Sequence, residues 1–244
     1  MTPLQVMFCG EEYVVEPEST FTVGREADLT IDENPYLHRV FLTLSSEFDL
    51  WWITNVGHTL SATVSDESGA VQAWLAPGAR LPIVFQHMHV MFSAGATTYD
   101  FEIHAASDVY NTSLSAVPIA GTTTLLPVTL TRSQRQLIVS LSENILTRST
   151  PGRGEIPSSA DAAARLGWSM TTFNRKLDNV CDKLDRIGVS GLRGGRGKLA
   201  TNRRARLVEY ALATRLVSAE DLPLLDAVAE PEPDLDADGA AEVP

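Results

Sequence analysis

Lysine is nearly missing from this chain of 244 residues: Lys176, Lys183 and Lys198 stand against 16 arginines. With abundant alanine, that bias is the one a GC-rich bacterial genome imposes. Cysteine is equally scarce. Cys9 and Cys181 lie far apart in the sequence, which excludes a disulfide framework and a cysteine-built metal site and makes a reducing cytoplasm the expected compartment. No apolar run approaches the roughly 18 residues that a membrane helix needs. The opening MTPLQVMFCGEEYVVEPE has no basic n-region and soon turns acidic, so a secretory leader is not expected. Also missing are a P-loop, a nucleophile elbow, a dinucleotide fingerprint and paired Cys/His spacing, so neither catalysis nor a cofactor or metal is expected. His87 and His89 alternate on one predicted strand, but two histidines without a third ligand read as ordinary sheet-face residues.

What is present is an uneven distribution of charge. The net charge of -12 conceals three blocks. Residues 1–128 hold 15 acidic and 3 basic residues, residues 129–216 hold 16 basic and 7 acidic, and residues 217–244 hold 9 acidic and no basic residue. A polyanion is repelled by the two ends of such a chain and attracted by its middle.

The periodicity changes at the same places. Residues 3–104 read as about ten short strands, among them LQVMF, TFTVG, RVFLTL, LWWITN, HVMFS and YDFEI, separated by turn segments such as CGEE, SDESG and APGA. Residues 105–128 lose all periodicity and are rich in Ser, Thr, Ala and Pro, the composition of a linker. From Leu130 the period is helical. One helix follows Thr131 as N-cap and carries Leu137, Ile138, Leu141 and Ile145 on one face. STPGRGEIPSS breaks it. SADAAARLG forms a second helix ended by Gly167, SMTTFNRKLDNVCDKLDRI a third, and RRARLVEYALATRLV a fourth after the basic, glycine-rich VSGLRGGRGKLATN. SAEDLPLL adds a short turn. The remaining tail of 217–244 has the acidic, proline-rich composition of disorder.

TFTVGREADLTID, His38 ahead of RVFLTL, LWWITNVGHTLSATV and LAPGARLPIVFQHMHVMF together resemble the forkhead-associated domain over residues 1–104. The resemblance implies an eleven-stranded sandwich whose loops at one end bind phosphothreonine. It implies that Arg25 holds the phosphate, that His38 braces the loop, and that Thr59 and Ser61 are contacts. A guanidinium suits this role because it grips phosphate oxygens through charge-assisted bonds. The chain departs from the family pattern at three positions: Pro35 replaces the usual serine, Tyr36 the usual arginine, and Leu60 the asparagine that grips the peptide backbone.

The second and third helices fit a helix-turn-helix template, with the small Ala163 at the helix approach, Gly167 in the turn, and Leu166, Trp168, Phe173 and Leu177 as the buried face. Leu130, Thr131, Gln134, Arg135, Gly167, Ser169, Thr172, Phe173, Lys183 and Leu184 resemble the DNA-binding domain of LuxR-type regulators and the C-terminal region of sigma factors. With Phe173 and Leu177 inward, Met170, Thr171, Asn174, Arg175 and Asp178 point outward. Asn174 is suited to adenine, Arg175 to guanine, and Asp178 to cytosine. Lys176, Lys183, Arg186, Arg193, Arg196, Lys198, Arg203 and Arg204 are expected on phosphates, with GLRGGRGKLATNRR as a basic wing.

The expected protein is thus an all-β sandwich followed by an all-α unit: a cytoplasmic, DNA-binding transcriptional regulator with a phosphopeptide- or protein-interaction module. The alternative is a phosphothreonine-dependent adaptor that binds no DNA. Double-stranded DNA and a phosphothreonine protein are the expected partners, a membrane is not, and a dimer stays open. The acidic tail and sandwich are further expected to cover the basic block, and Thr122, Thr123 and Thr124 to be candidate kinase targets.

Overall fold

Alternation of apolar and polar residues sets the strands of the N-terminal part. A computed structural model describes residues 1–106, 128–193 and 203–226. Eleven strands lie between Leu4 and Ala105: β1 (Leu4–Phe8), β2 (Glu11–Val15), β3 (Phe21–Gly24), β4 (Leu29–Thr30), β5 (Leu42–Glu47), β6 (Leu50–Asn55), β7 (Ala62–Asp66), β8 (Gln72–Leu75), β9 (Arg80–Ile83), β10 (His87–Ala94) and β11 (Thr97–Ala105). They form two sheets, one in the order β2-β1-β11-β10-β7-β8 and the other β4-β3-β5-β6-β9. Leu42 and Leu44 of β5, Trp51 and Ile53 of β6, Val90 and Phe92 of β10, and Tyr99, Phe101 and Ile103 of β11 turn to the space between the sheets and are buried. Phe92 stands at its centre, 4.8 Å from Phe41 and 5.4 Å from Tyr99 between ring centroids.

The C-terminal part is built from α1 (Arg132–Leu146), β12 (Arg153–Glu155), α2 (Ser159–Arg165), α3 (Met170–Arg186), α4 (Arg203–Ala213) and a 3-10 turn, Ala219–Leu225. Each of the first three helices starts at a hydroxyl cap, Thr131, Ser158 or Ser169, that accepts a bond from the backbone amide three residues on. Thr131 and Gln134 complete a capping box. Leu137, Ile138 and Leu141 of α1, Phe173, Leu177, Val180 and Leu184 of α3, and Leu207, Val208 and Ala211 of α4 make a second core. No helix among the described residues is long and apolar enough to cross a membrane.

Three features depart from the expected organisation. STPGRGEIPSS, read as a simple break, contains β12, which pairs antiparallel with residues Thr97–Tyr99 of β11 and so extends the sandwich's own sheet. Gly154 is needed there: a Cβ on it would stand 2.8 Å from the Ile145 side chain. The fourth helix stops at Ala213, short of the expected Val217, and Arg215 takes a positive φ of 50°. The acidic tail starts later than 217, because Asp221 pairs with Arg135 and Asp226 with Arg165, each at 2.9 Å, which ties 219–226 to the helices.

The two parts are docked. α4 lies against the outer face of β7 and β10, and this is why Thr63, Ser65 and Ser93, polar residues on the solvent side of an open sheet, are buried. Buried polar groups need partners. Arg206 donates to Thr63 and lies 3.4 Å from Glu209, while Glu209 is hydrogen-bonded to Ser93. Arg148 meets Asp100 at 2.6 Å, and Arg215 donates to the Glu67 carbonyl. Burial raises the Asp100 carboxyl despite Arg148, and it lowers Arg206. The linker between the parts lies mostly outside the described residues, as do Thr122–Thr124, Arg196, Lys198 and the tail beyond Asp226.

Candidate functional site

Two surfaces carry the residues singled out above. The first is the loop end of the sandwich. Gly24 ends β3 with its Cα against the next loop: a Cβ would stand 2.2 Å from the Arg39 carbonyl oxygen, so only glycine lets the loops meet. The contact is sealed by Arg25 N–H donating to His38 O and Glu26 N–H to Arg39 O, both at 2.9 Å. Arg25 is thereby set at the loop end, its side chain 26% exposed and 3.7 Å from the Glu26 carboxylate. His38 Nε2 accepts from the His58 amide at 3.0 Å, and the ring stacks on Phe41. Its Nδ1 is buried without a hydrogen-bond partner. Burial, reinforced by His58, lowers its pKa and keeps it neutral. His38 therefore bridges the loops that carry Arg25 and Thr59.

Asn55, at 0% exposure, organises the second of these loops. Its side chain donates to the Leu60 and Leu75 carbonyls at 2.8 and 2.9 Å and accepts from the Gly57 amide at 2.9 Å. The sequence shows Asn55 only as a turn residue; its structural role depends on β8 reaching it from 20 residues further on. The hydroxyls of Thr59 and Ser61 make no hydrogen bond within the described residues, which leaves both available to a ligand.

The second surface is α3. Gly167, at φ 66°, turns the chain between α2 and α3. Trp168 and Leu166 pack on the helical core beside it. The Ser169 cap orients α3 so that Phe173 and Leu177 are buried while Met170, Thr171, Asn174, Arg175 and Asp178 are exposed, as the helical period requires.

The basic residues expected around it are, with few exceptions, engaged internally. Lys176 donates to Ser133 at 2.6 Å and lies 5.5 Å from the Trp168 ring centroid; Lys183 donates to the Thr129 carbonyl. Arg193 binds Asp182 at 2.9 Å, Arg203 binds Asp178, and Arg204 donates to the Pro157 carbonyl at 2.6 Å. Asp178, expected to accept from a base, accepts from Arg203 instead. Among the described cations of 129–216, Arg175 and Arg186 have no partner within the described residues. Eleven residues apart, they share one face of α3, about 16 Å from each other along the axis. The histidines of β10 are also paired: His87 with Glu67 at 3.1 Å and His89 with Glu102 at 3.5 Å, and no cluster among the described residues is suited to a metal ion.

No protein-family model matches this chain, and no curated protein matches it. Solved structures resemble its sandwich. An FHA domain (FHA-1) of Mycobacterium tuberculosis is 17% identical over 43% of this chain and 97% of that one, with a TM-score of 0.33. The FHA domain of an Arabidopsis thaliana hypothetical protein is 18% identical over 43% of this chain and 87% of that one, again at 0.33. An FHA domain from Chlamydia trachomatis is 15% identical over 43% and 97%, at 0.27. Each of these three structures is an FHA domain, matched over 43% of this chain.

Proposed function

We propose that the chain is a cytoplasmic transcriptional regulator that acts by binding, without catalysis: α2 and α3 form a helix-turn-helix that reads double-stranded DNA, and the sandwich is an FHA-like module for a protein partner. One observation carries the reading. The first two turns of α3 present Thr171, Asn174 and Arg175 to solvent, on a helix whose opposite face is locked by Phe173 and Leu177. Asn offers a donor and an acceptor that match the adenine edge, and Arg two donors that match the guanine edge, in a major groove wide enough for a helix. Among the described residues the Arg175 guanidinium has no bond to give up on binding.

Fluorescence anisotropy of the full chain with labelled duplexes of randomised sequence, at roughly 50 mM salt, tests this. Affinity falls steeply as salt rises, and Arg175→Ala weakens binding to the tightest-binding duplex selected from that pool roughly tenfold to hundredfold. Absence of duplex binding at low salt overturns the reading.

A second reading concerns the sandwich alone, as a phosphothreonine-dependent adaptor. Arg25 and the free hydroxyls of Thr59 and Ser61, on loops joined by the His38–His58 bond, favour it. Titration with phosphothreonine peptides separates the two: an affinity that Arg25→Ala leaves unchanged removes phosphate recognition.

A further inference from the structure

The exposed stripe of α3 poses an electrostatic difficulty for the DNA reading, on which the present inference rests. Beyond Arg175 the stripe carries Asp178, Asp182 and Asp185 before it ends at Arg186. Three carboxylates against two guanidinium groups would repel a duplex at short range. The chain that follows α3 answers this. Arg193, seven residues past the end of α3, binds Asp182 at 2.9 Å and lies 3.7 Å from Asp185. Arg203, the first residue of α4, binds Asp178. Arg193 belongs to the connection that follows α3, and Arg203 opens α4. Arg203 is fixed at the start of a helix whose Leu207, Val208 and Ala211 are buried in the helical core.

We infer that Arg193 and Arg203 are positioning residues that neutralise the acidic stripe of α3, and that base contact by α3 comes from Thr171, Asn174 and Arg175, with Arg186 as an outlying phosphate contact of the same helix. The arrangement divides α3 lengthwise. The amino-terminal turns, free of acids, enter the groove. The carboxy-terminal turns stay outside it as a charge-balanced support. A groove-entering carboxy-terminal half would bring Asp178 and Asp182 against phosphates and break both ion pairs. Such pairs are worth little on an exposed surface in isolation. Their weight here comes from the polyanion beside them, since losing Arg203 both removes a positive charge and uncovers a negative one.

The test is a charge-compensation cycle on the full chain, read as anisotropy with the randomised duplex pool at roughly 50 mM salt. Arg203→Ala weakens binding roughly three- to tenfold, the scale of one uncovered charge near a polyanion. Asp178→Asn placed in the Arg203→Ala chain restores affinity to within about twofold of the starting protein. A direct phosphate contact behaves differently: Arg203→Ala then lowers the salt slope by about 1 and Asp178→Asn does not restore binding, which overturns the inference while the DNA reading stands. Unchanged affinity in Arg203→Ala overturns it as well. A starting protein that binds no duplex overturns the DNA reading and this inference with it. Circular dichroism of each variant confirms that α3 remains folded.

Discussion

Glu209→Gln isolates the energetics of the contact between the helices and the sandwich. Glu209 is 5% exposed on α4, against β10. Burial pushes its carboxyl from 4.5 up to about 7, although Ser93 and Arg206 favour the ionised form. The folded protein therefore holds a proton on Glu209 between these values while the unfolded chain does not, so stability falls as pH rises from 4.5 through about 7 and is level beyond. At about 1.4 kcal/mol per pH unit, the span corresponds to about 3 kcal/mol. Glutamine keeps the shape and a hydrogen bond to Ser93 but cannot ionise, so Glu209→Gln lacks this loss. Urea unfolding of both proteins at a series of pH values is the assay. All other groups are common to both chains and cancel in the difference. The variant's stability relative to the natural chain rises by about 3 kcal/mol between pH 4.5 and 7, then holds level. A difference that stays constant to within about 0.5 kcal/mol over that range refutes the argument and means that Glu209 is solvated, with α4 undocked from the sheet.

Further consequences follow from other buried groups. Phe173→Ala empties the centre of the helical core, where the ring is 0% exposed, and lowers stability by about 3–5 kcal/mol, seen as loss of the helical signal at lower temperature. Asn55→Ala removes three hydrogen bonds at once and costs about 2–3 kcal/mol; amide exchange accelerates at Gly57 and His58 before it does in β10. Gly24→Ala forces a methyl toward a carbonyl oxygen 2.2 Å away and costs about 2 kcal/mol, and it weakens any ligand that uses Arg25 by shifting the loop that holds it.

Much of this molecule was legible residue by residue. The alternation in LWWITN placed β6, RVFLTL overlaps β5 only at Leu42–Leu44, and the hydroxyls Thr131 and Ser169 marked where α1 and α3 begin. Phe173 and Leu177 settled which face of α3 is free. The pattern worked because each signal is local, a matter of period and caps. The loop end was half legible. Arg25 and His38 lie in recognisable segments, but Asn55 gains its role from β8 and Leu60, and no local signal distinguishes it from a turn residue. The charge count misled in the opposite direction. It identified the basic block, yet most of those arginines serve as internal ties: Arg148 to Asp100, Arg153 to Asp32, Arg203 to Asp178.

The sequence alone determined where the run of strands gives way to helices, which residues face the helical core, and that positive charge concentrates in the helical part. Tertiary structure alone decided that β12 joins the sandwich sheet, that α4 seals Glu209 against Ser93, and that Arg175 and Arg186 have no partner among the described residues. The physical reason is range. Period and capping act over a few residues of chain, whereas ion pairs and strand addition depend on which groups the fold brings within hydrogen-bond distance, often across a hundred residues or more, as with Arg153 and Asp32.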